Sequence, residues 1–398
     1  MTPAPAKPFV ALACGGTGGH LFPGIAVATE LRARGADCVL LISRKDVDHE
    51  AARTAPEIEA VALPAVGWDW RHPVRFAGAA LRSHAEARGL FKQRKPSAVL
   101  AMGGFTSLPA AVAGRRGGAK IFLHESNAVP GRANRLLSRI ADEAFTGFDS
   151  AAAQLAATRV TLTGTPVRAQ FQPQDSAAAR AALGLDPSQP VLLVMGGSQG
   201  ARGVNDLVLA ALPAITESAP GLQLVHLTGP GDEPKALAAL AKLRVRAVVR
   251  PFFARMELAM SAATVAVSRA GASTLAELAA LRVPSVLVPY PHAADNHQWF
   301  NARAFERTGA ARMLWNHHAT PADLARTVLE LLAQAAARDA ISSALAQWHQ
   351  PGAAARIAGR ILAAIGLAVD APRPAAPQRP GCSGDPGLLR ETLLHTAS

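Results

Sequence analysis

Short runs of uninterrupted apolar residues, separated by longer Ala-, Leu- and Arg-rich stretches, constrain this chain more than any other feature. One series comprises FVALAC (9–14), CVLLIS (38–43), AVLAMG (98–103), KIFLH (120–124) and RVTLTG (159–164). A second comprises VLLVMG (191–196), LQLVHLTG (222–229), VRAVVR (245–250), TVAVS (264–268) and SVLVPY (285–290). Continuous apolar strands between amphipathic helices belong to parallel sheets covered on both faces. The series restarts near residue 190, after a segment carrying Pro173, Pro187 and Pro190. A chain of 398 residues exceeds what one core usually serves. The reading is therefore two doubly wound α/β domains, residues 7–168 and 169–350. A helix within 351–367 is expected to pack back onto the first domain, and the Pro-rich segment 368–398 is expected to be a disordered tail.

Three glycine-rich turns follow strands in this scheme. The first is Gly15-Gly16-Thr17-Gly18-Gly19-His20, with a helical pattern starting near Phe22-Pro23. Four glycines let backbone N–H groups approach a ligand closely. The helix N-terminus behind them favours an anion by about 0.3–1 kcal/mol. The turn is not a dinucleotide fingerprint, because Leu21 stands where a third glycine is needed and Ser43-Arg44 closes the second strand without an acid. The second turn, Gly196-Gly197-Ser198-Gln199-Gly200, opens the second domain as the first opens its own. The third runs from Ser268 to Glu277. Thr274 and Glu277 have capping-box spacing, so Glu277 either caps its own helix or takes two vicinal ribose hydroxyls through its two oxygens.

Two α/β domains facing each other across such turns describe a GT-B glycosyltransferase, with two Rossmann-like parallel-sheet domains around a cleft. Helix N-termini then stabilise a departing pyrophosphate, and neither a metal nor a cofactor is expected. Asp46-Val47-Asp48 formally fits the Asp-x-Asp of metal-dependent transferases, but in SRKDVDHE a solvated helix start is the expectation.

These residues resemble the MurG family. The likeness rests on GGTGGH with LFPGIAVA (15–28), Gly103-Gly104-Phe105, HESN (124–127), GTPVR (164–168), GGSQGAR (196–202), SRAGASTLAEL (268–278) and PYPHAADNHQ (289–298). The spaced motifs cover residues 9 to about 345. The resemblance implies inverting transfer of N-acetylglucosamine from UDP-N-acetylglucosamine to the muramyl 4-hydroxyl of lipid I, giving lipid II. It implies donor or acceptor contacts at Thr17, Gly18, Gly19 and Asn127, and pyrophosphate contacts at Arg168 and Ser198. Phe253 matches the position whose backbone reads uracil. Ala272, Ser273, Thr274, Leu275, Ala276 and Glu277 match the phosphate and ribose turn, and His297 with Gln298 the pair on the transferred sugar. Ser126, Thr106 and Leu108 depart from the usual pattern, which puts fine acceptor contacts in doubt but not the reaction. His20, at the end of the first turn, is the expected general base, since an imidazole suits proton removal near neutral pH. His124 and Glu125 compete for that role.

A formal charge of +12 attracts something anionic. Recognisable nucleic-acid-binding modules are absent and aromatics are few, so nucleic acid is not an expected partner. No run of about eighteen apolar residues occurs. Cys14, Cys38 and Cys382 have no metal-ligand spacing and read as reduced thiols. Residues 72–82, followed by Arg88, Lys92, Arg94 and Lys95, form a basic amphipathic stretch suited to an anionic inner-membrane surface on its cytoplasmic face. Other cell-wall synthesis proteins are further potential partners. Two alternatives remain: a transferase acting on another lipid such as diacylglycerol, and a non-catalytic sugar-nucleotide-binding scaffold.

Overall fold

The computed structural model describes residues 7–16, 18–65, 73–197, 200–315 and 318–367. The first apolar series builds a seven-stranded parallel sheet. Its strands are β1 (Phe9–Ala13), β2 (Asp37–Ser43), β3 (Glu59–Leu63), β4 (Ala98–Ala101), β5 (Lys120–Glu125), β6 (Glu143–Thr146) and β7 (Val160–Leu162). They lie in the order β3-β2-β1-β4-β5-β6-β7. The second series builds a six-stranded parallel sheet from β8 (Val191–Met195), β9 (Gln223–Leu227), β10 (Ala247–Arg250), β11 (Val265–Ser268), β12 (Ser285–Leu287) and β13 (Arg312–Met313). Its order is β10-β9-β8-β11-β12-β13. The central strands β1 and β8 are buried throughout, as their unbroken apolar sequence requires.

Strand order reverses between β1 and β4, where Val10 pairs with both Cys38 and Ala98, and between β8 and β11. Ligands of doubly wound sheets bind at these reversals, outside the carboxyl ends of the strands. The three glycine turns and Gly103-Gly104 follow β1, β8, β11 and β4, so all of them lie at a reversal.

The chain crosses between the two sheets twice. The first crossing leaves β7 at Gly164, in the left-handed region at φ +80°, and the second returns through Gln350. The two strands of chain touch: a Cβ on Gly164 would lie 2.4 Å from Cβ of Gln350. The returning helix, Ala353–Ala364, buries Ala354, Ile357, Ala358, Ile361 and Leu362 against the first unit, beside Leu21, Ile25 and Ala28. Arg360 pairs there with Glu143 of β6 at 2.7 Å, and Arg356 donates to the Thr163 carbonyl at 2.7 Å. Cys14 and Cys38 are buried and unbridged, and Cys382 lies outside the described residues, as does 368–398.

The first unit's core is thus completed by residues nearly two hundred positions after its last strand. Replacing Ile361, which is fully buried, with Ala should cost about 2–5 kcal/mol in denaturant unfolding. A loss below about 1 kcal/mol would place this helix outside the core.

Candidate active site where two glycine turns meet

The glycines of the first turn answer to close packing. A Cβ on Gly15 would lie 2.3 Å from the Ser43 nitrogen, and Gly16 adopts φ +123°. The Gly16 N–H donates to Asp48 Oδ2 at 2.7 Å, and Ser43 donates to the same oxygen from its N–H at 3.1 Å and its hydroxyl at 2.5 Å. Asp48 is therefore fully buried, which corrects the expectation of a solvated helix start. It sits in the short helix Asp46–Ala52 and faces inward to satisfy the turn. Thr106 donates to the Gly15 carbonyl at 2.9 Å, so this departure from the family pattern supports the turn from behind. Thr17 lies outside the described residues.

The helix begins at Gly18, four residues before the sequence pattern suggested, so Gly18, Gly19 and His20 form its first turn. Pro23 within it has no N–H to give the carbonyl four residues back. That carbonyl belongs to Gly19, and it accepts the Ser273 hydroxyl at 2.7 Å instead. Ser273 lies in the first turn of helix Ala272–Leu281, so the N-termini of the helices behind the first and third glycine turns abut.

His20 packs on the glycine pair after β4: a Cβ on Gly103 or Gly104 would lie 2.8 Å or 3.2 Å from its ring. Its buried Nδ1 has no hydrogen bond of ordinary geometry among the described residues. Burial lowers its pKa, against opposing pulls from Glu125, the Met102 carbonyl and Asp48, while His297 lowers it further. Both rivals are structural. His124 donates from Nε2 to the Gly164 carbonyl at 3.1 Å, which leaves Nδ1 to accept from Ser126 at 3.1 Å, and burial lowers its pKa to about 4. Glu125 accepts four donors: the Asn127 N–H and amide on Oε1, and the Gly131 N–H and Asn134 amide on Oε2, all between 2.8 and 3.0 Å.

In the second unit, Gly197 and Gly200 take positive φ, and a Cβ on Gly200 would lie 2.5 Å from the Thr228 carbonyl. Ser198 lies outside the described residues. Asn205 secures this turn by donating to Thr228 and Asp232 at 2.8 Å and accepting from His226 at 3.0 Å. The third turn holds the ribose candidate. Gly271 is the N-cap and makes no side-chain cap bond, so Thr274 and Glu277 sit inside the helix and the capping-box alternative fails. Glu277 is buried, with Arg168 Nη2 at 3.6 Å. Burial raises its pKa to about 7, Arg168 opposes the rise and Glu257 adds to it. Arg168 itself lies between the rings of Phe22 and Phe171, 4.2 and 4.9 Å from their centroids, so it joins both units to Glu277. Leu275 is a core side chain, leaving only its backbone to a ligand, whereas Ala276 is half-buried. Phe253 is half-buried against Ala179, Leu258 and Ala262.

The carbonyl of Gln298 accepts from Tyr290 and Ala270 at 2.9 and 3.3 Å, leaving its amide hydrogens for a sugar. His297 bonds the Ala294 carbonyl at 2.7 Å and lies near enough to His20 for their charges to interact. Asn127 accepts at 3.0 Å from Asn301, a residue no sequence motif singled out. Asn301 also accepts from the Ala128 N–H at 2.8 Å and donates to the Ala270 carbonyl at 3.1 Å, tying HESN to the third turn. The structure thus brings His20, Gly18, Gly19, Asn127, Arg168, Ser273, Glu277, His297 and Gln298 to one junction.

Residues 10–146 match the glycosyltransferase family 28 N-terminal domain and residues 191–357 its C-terminal domain. A protein of Xanthomonas euvesicatoria pv. vesicatoria, named UDP-N-acetylglucosamine–N-acetylmuramyl-(pentapeptide) pyrophosphoryl-undecaprenol N-acetylglucosamine transferase, is 38% identical over 386 residues, covering 95% of this chain and 87% of its own. One of the same name from Sorangium cellulosum is 38% identical over 361 residues, covering 89% and 87%. The crystal structure of Acinetobacter baumannii MurG superposes with a TM-score of 0.68 at 26% identity, covering 90% of this chain and 100% of that one.

Glu277's raised pKa has two consequences. The native state holds this proton at pH values where the unfolded chain has lost it, so its contribution to stability falls as pH rises from about 4.5 to about 7. Only the ionised group offers both oxygens to a diol. UDP affinity should therefore strengthen between pH 6 and pH 8, and a Glu277→Gln variant should lose that increment in calorimetric titrations.

Proposed function

The chain belongs to glycosyltransferase family 28, in its MurG group, and we propose that it moves N-acetylglucosamine from UDP-N-acetylglucosamine onto the muramyl 4-hydroxyl of lipid I, forming lipid II. The observation that carries this reading is the Ser273–Gly19 hydrogen bond, which sets a donor-type helix N-terminus against the turn bearing His20. The donor lies on the second unit. Its uracil meets the Phe253 segment, its ribose hydroxyls meet Glu277, and its diphosphate takes the N-terminus of helix Ala272–Leu281. Gln298 and His297 hold the sugar. The acceptor enters over the first glycine turn.

His20, kept neutral by burial, takes the proton of the 4-hydroxyl as that oxygen bonds the anomeric carbon. The bond from that carbon to the diphosphate oxygen breaks, and the electron pair leaves with UDP. Attack from the face opposite UDP inverts the centre. Arg168 and the amides of the third turn offset the charge developing on UDP, so the residues supply electrostatically what a metal would supply elsewhere.

The acceptor is lipid-linked, and the surface of helix Pro73–Gln93 suits a bilayer. It buries Ala79, Ser83, Ala87 and Phe91 at intervals of four. It exposes Val74 at 83% and Leu81 at 71%, among the exposed Arg75, Arg82, Arg88 and Lys92. Exposed Leu136 lies between Arg135 and buried Leu137 in helix Arg132–Leu137, extending the same chemistry. We assign these helices to the cytoplasmic face of an anionic membrane. No described helix is long and apolar enough to cross one.

The deciding experiment follows UDP release from UDP-N-acetylglucosamine with and without a soluble lipid I analogue. Release that requires the analogue supports the reading; release driven by diacylglycerol instead would overturn it. His20→Ala should lower turnover about 100- to 10,000-fold while UDP affinity stays unchanged. Charge reversal at Arg75, Arg82 and Arg88 should abolish co-sedimentation with anionic liposomes, each basic group contributing about 1 kcal/mol.

A further inference from the structure

Asp48 has no part in the chemistry above, and beyond its formal fit to Asp-x-Asp no sequence motif assigned it a role. It is a fully buried carboxylate behind the first glycine turn, and one oxygen, Oδ2, receives three hydrogen bonds, from the Gly16 N–H and from the N–H and hydroxyl of Ser43. Its Oδ1 has no partner among the described residues. From the N-cap of the same short helix, the Lys45 ammonium donates to the Gly16 carbonyl at 3.2 Å and stands 5.2 Å from the centroid of the Phe105 ring. Phe105 in turn covers Gly16: a Cβ there would lie 3.1 Å from its ring.

The Gly16 residue is therefore held at both ends by one helix and its N-cap, its N–H by Asp48 and its C=O by Lys45. Its φ of +123° is a conformation that strains any other residue, and a glycine alone does not hold it against its many alternatives. Two residues on, the chain enters the helical turn that carries Gly18, Gly19 and His20. The orientation of the Gly16 peptide thus sets the direction in which that turn starts.

We infer that Asp48, seconded by Lys45, is a positioning residue for the transfer: it locks the Gly16 peptide so that the following amides and His20 meet the acceptor hydroxyl in a fixed geometry. The inference rests on the transferase reading above. A full carboxylate suits the task because an oxygen bearing charge accepts three donors, which an amide oxygen does less well.

The groups facing His20 are Glu125, His297, the Met102 carbonyl, Asp48 and the buried His124, and of these Glu125, Met102 and Asp48 raise its proton affinity. Removing the Asp48 charge therefore moves His20's titration to lower pH, a change that mere loosening of the fold does not make.

The test uses the full chain with UDP-N-acetylglucosamine and the soluble lipid I analogue, and wild-type turnover serves first. If the wild type releases no UDP with the analogue, the transferase reading fails and the Asp48 measurement is not reached. If it does, Asp48→Asn should lower kcat/KM for the acceptor at least tenfold and move the acidic limb of its pH profile to lower pH. UDP affinity, which belongs to the second unit, should stay within twofold. Asp48→Glu, which keeps the charge, should keep the limb in place. If Asp48→Asn does not fold by circular dichroism, Lys45→Ala decides, since its side chain is exposed and it frees the other end of the same peptide. It should lower acceptor kcat/KM severalfold at unchanged UDP affinity. Acceptor kcat/KM within twofold of wild type in a folded Asp48→Asn, or failing that in Lys45→Ala, overturns the inference. So does an unmoved pH limb in Asp48→Asn.

Discussion

The arrangement of the site depends on one carbonyl that its own helix cannot use. Pro23 has no N–H for Gly19, so the Gly19 oxygen would otherwise stay open in the first helical turn. Ser273, from the other sheet's helix, fills it. A proline that weakens a helix locally thereby supplies the point at which two domains register. Arg168 extends the same junction, with Phe22 from the first unit and Phe171 from the crossing segment holding its guanidinium beside Glu277. Asn301 closes it on the far side, joining Asn127 and Ala128 to Ala270. Each of these contacts joins a group of the first unit or the crossing segment to one of the second. The two sheets therefore meet at their ligand-binding edges.

Much of this was legible in the sequence, because unbroken apolar runs report central parallel strands directly. Both series, the restart near 190 and the glycine turns at the strand ends all have counterparts in the sheets. The strands that escaped notice have a common reason. β3 and β13 lie at sheet edges, where half-exposed residues blur the apolar signal. β6 begins with Glu143, a buried charge met by Arg360 from the helix Ala353–Ala364 and by the Thr161 hydroxyl. Capping-box spacing at Thr274 and Glu277 left two readings open for a related reason: spacing records a possible bond, but the helix start at Ala272 decides whether it forms. Asp48 looked solvated because its neighbours are charged, and only the fold reveals that it points at Gly16. Asn301 lies in an ordinary amphipathic helix, and nothing in one sequence separates it from a surface asparagine.

The buried acids and imidazoles of the site differ chiefly in how completely the protein satisfies them, and this separates scaffold from chemistry. Glu125 accepts four donors and has no capacity left for a substrate. His124 uses both ring nitrogens, and its lowered pKa of about 4 keeps it a neutral strut. At the other extreme, Glu277 has Arg168 at 3.6 Å as its one ion-pair partner among the described residues, and holds its proton up to about pH 7. His20 has, among the described residues, no hydrogen bond of ordinary geometry at Nδ1, and its proton affinity is lowered.

Leaving a buried polar group short of partners costs about 1–3 kcal/mol, so a fold retains such groups only where something else completes them. The two under-satisfied groups belong to different units and flank the Ser273–Gly19 hydrogen bond that joins the first and third turns. A ligand bridging them would bring a diol to Glu277 and a hydroxyl proton to His20, completing both at once. The residual demand of these side chains thus points to a substrate pair spanning the junction, with the diol-bearing partner on the second sheet and the nucleophile on the first.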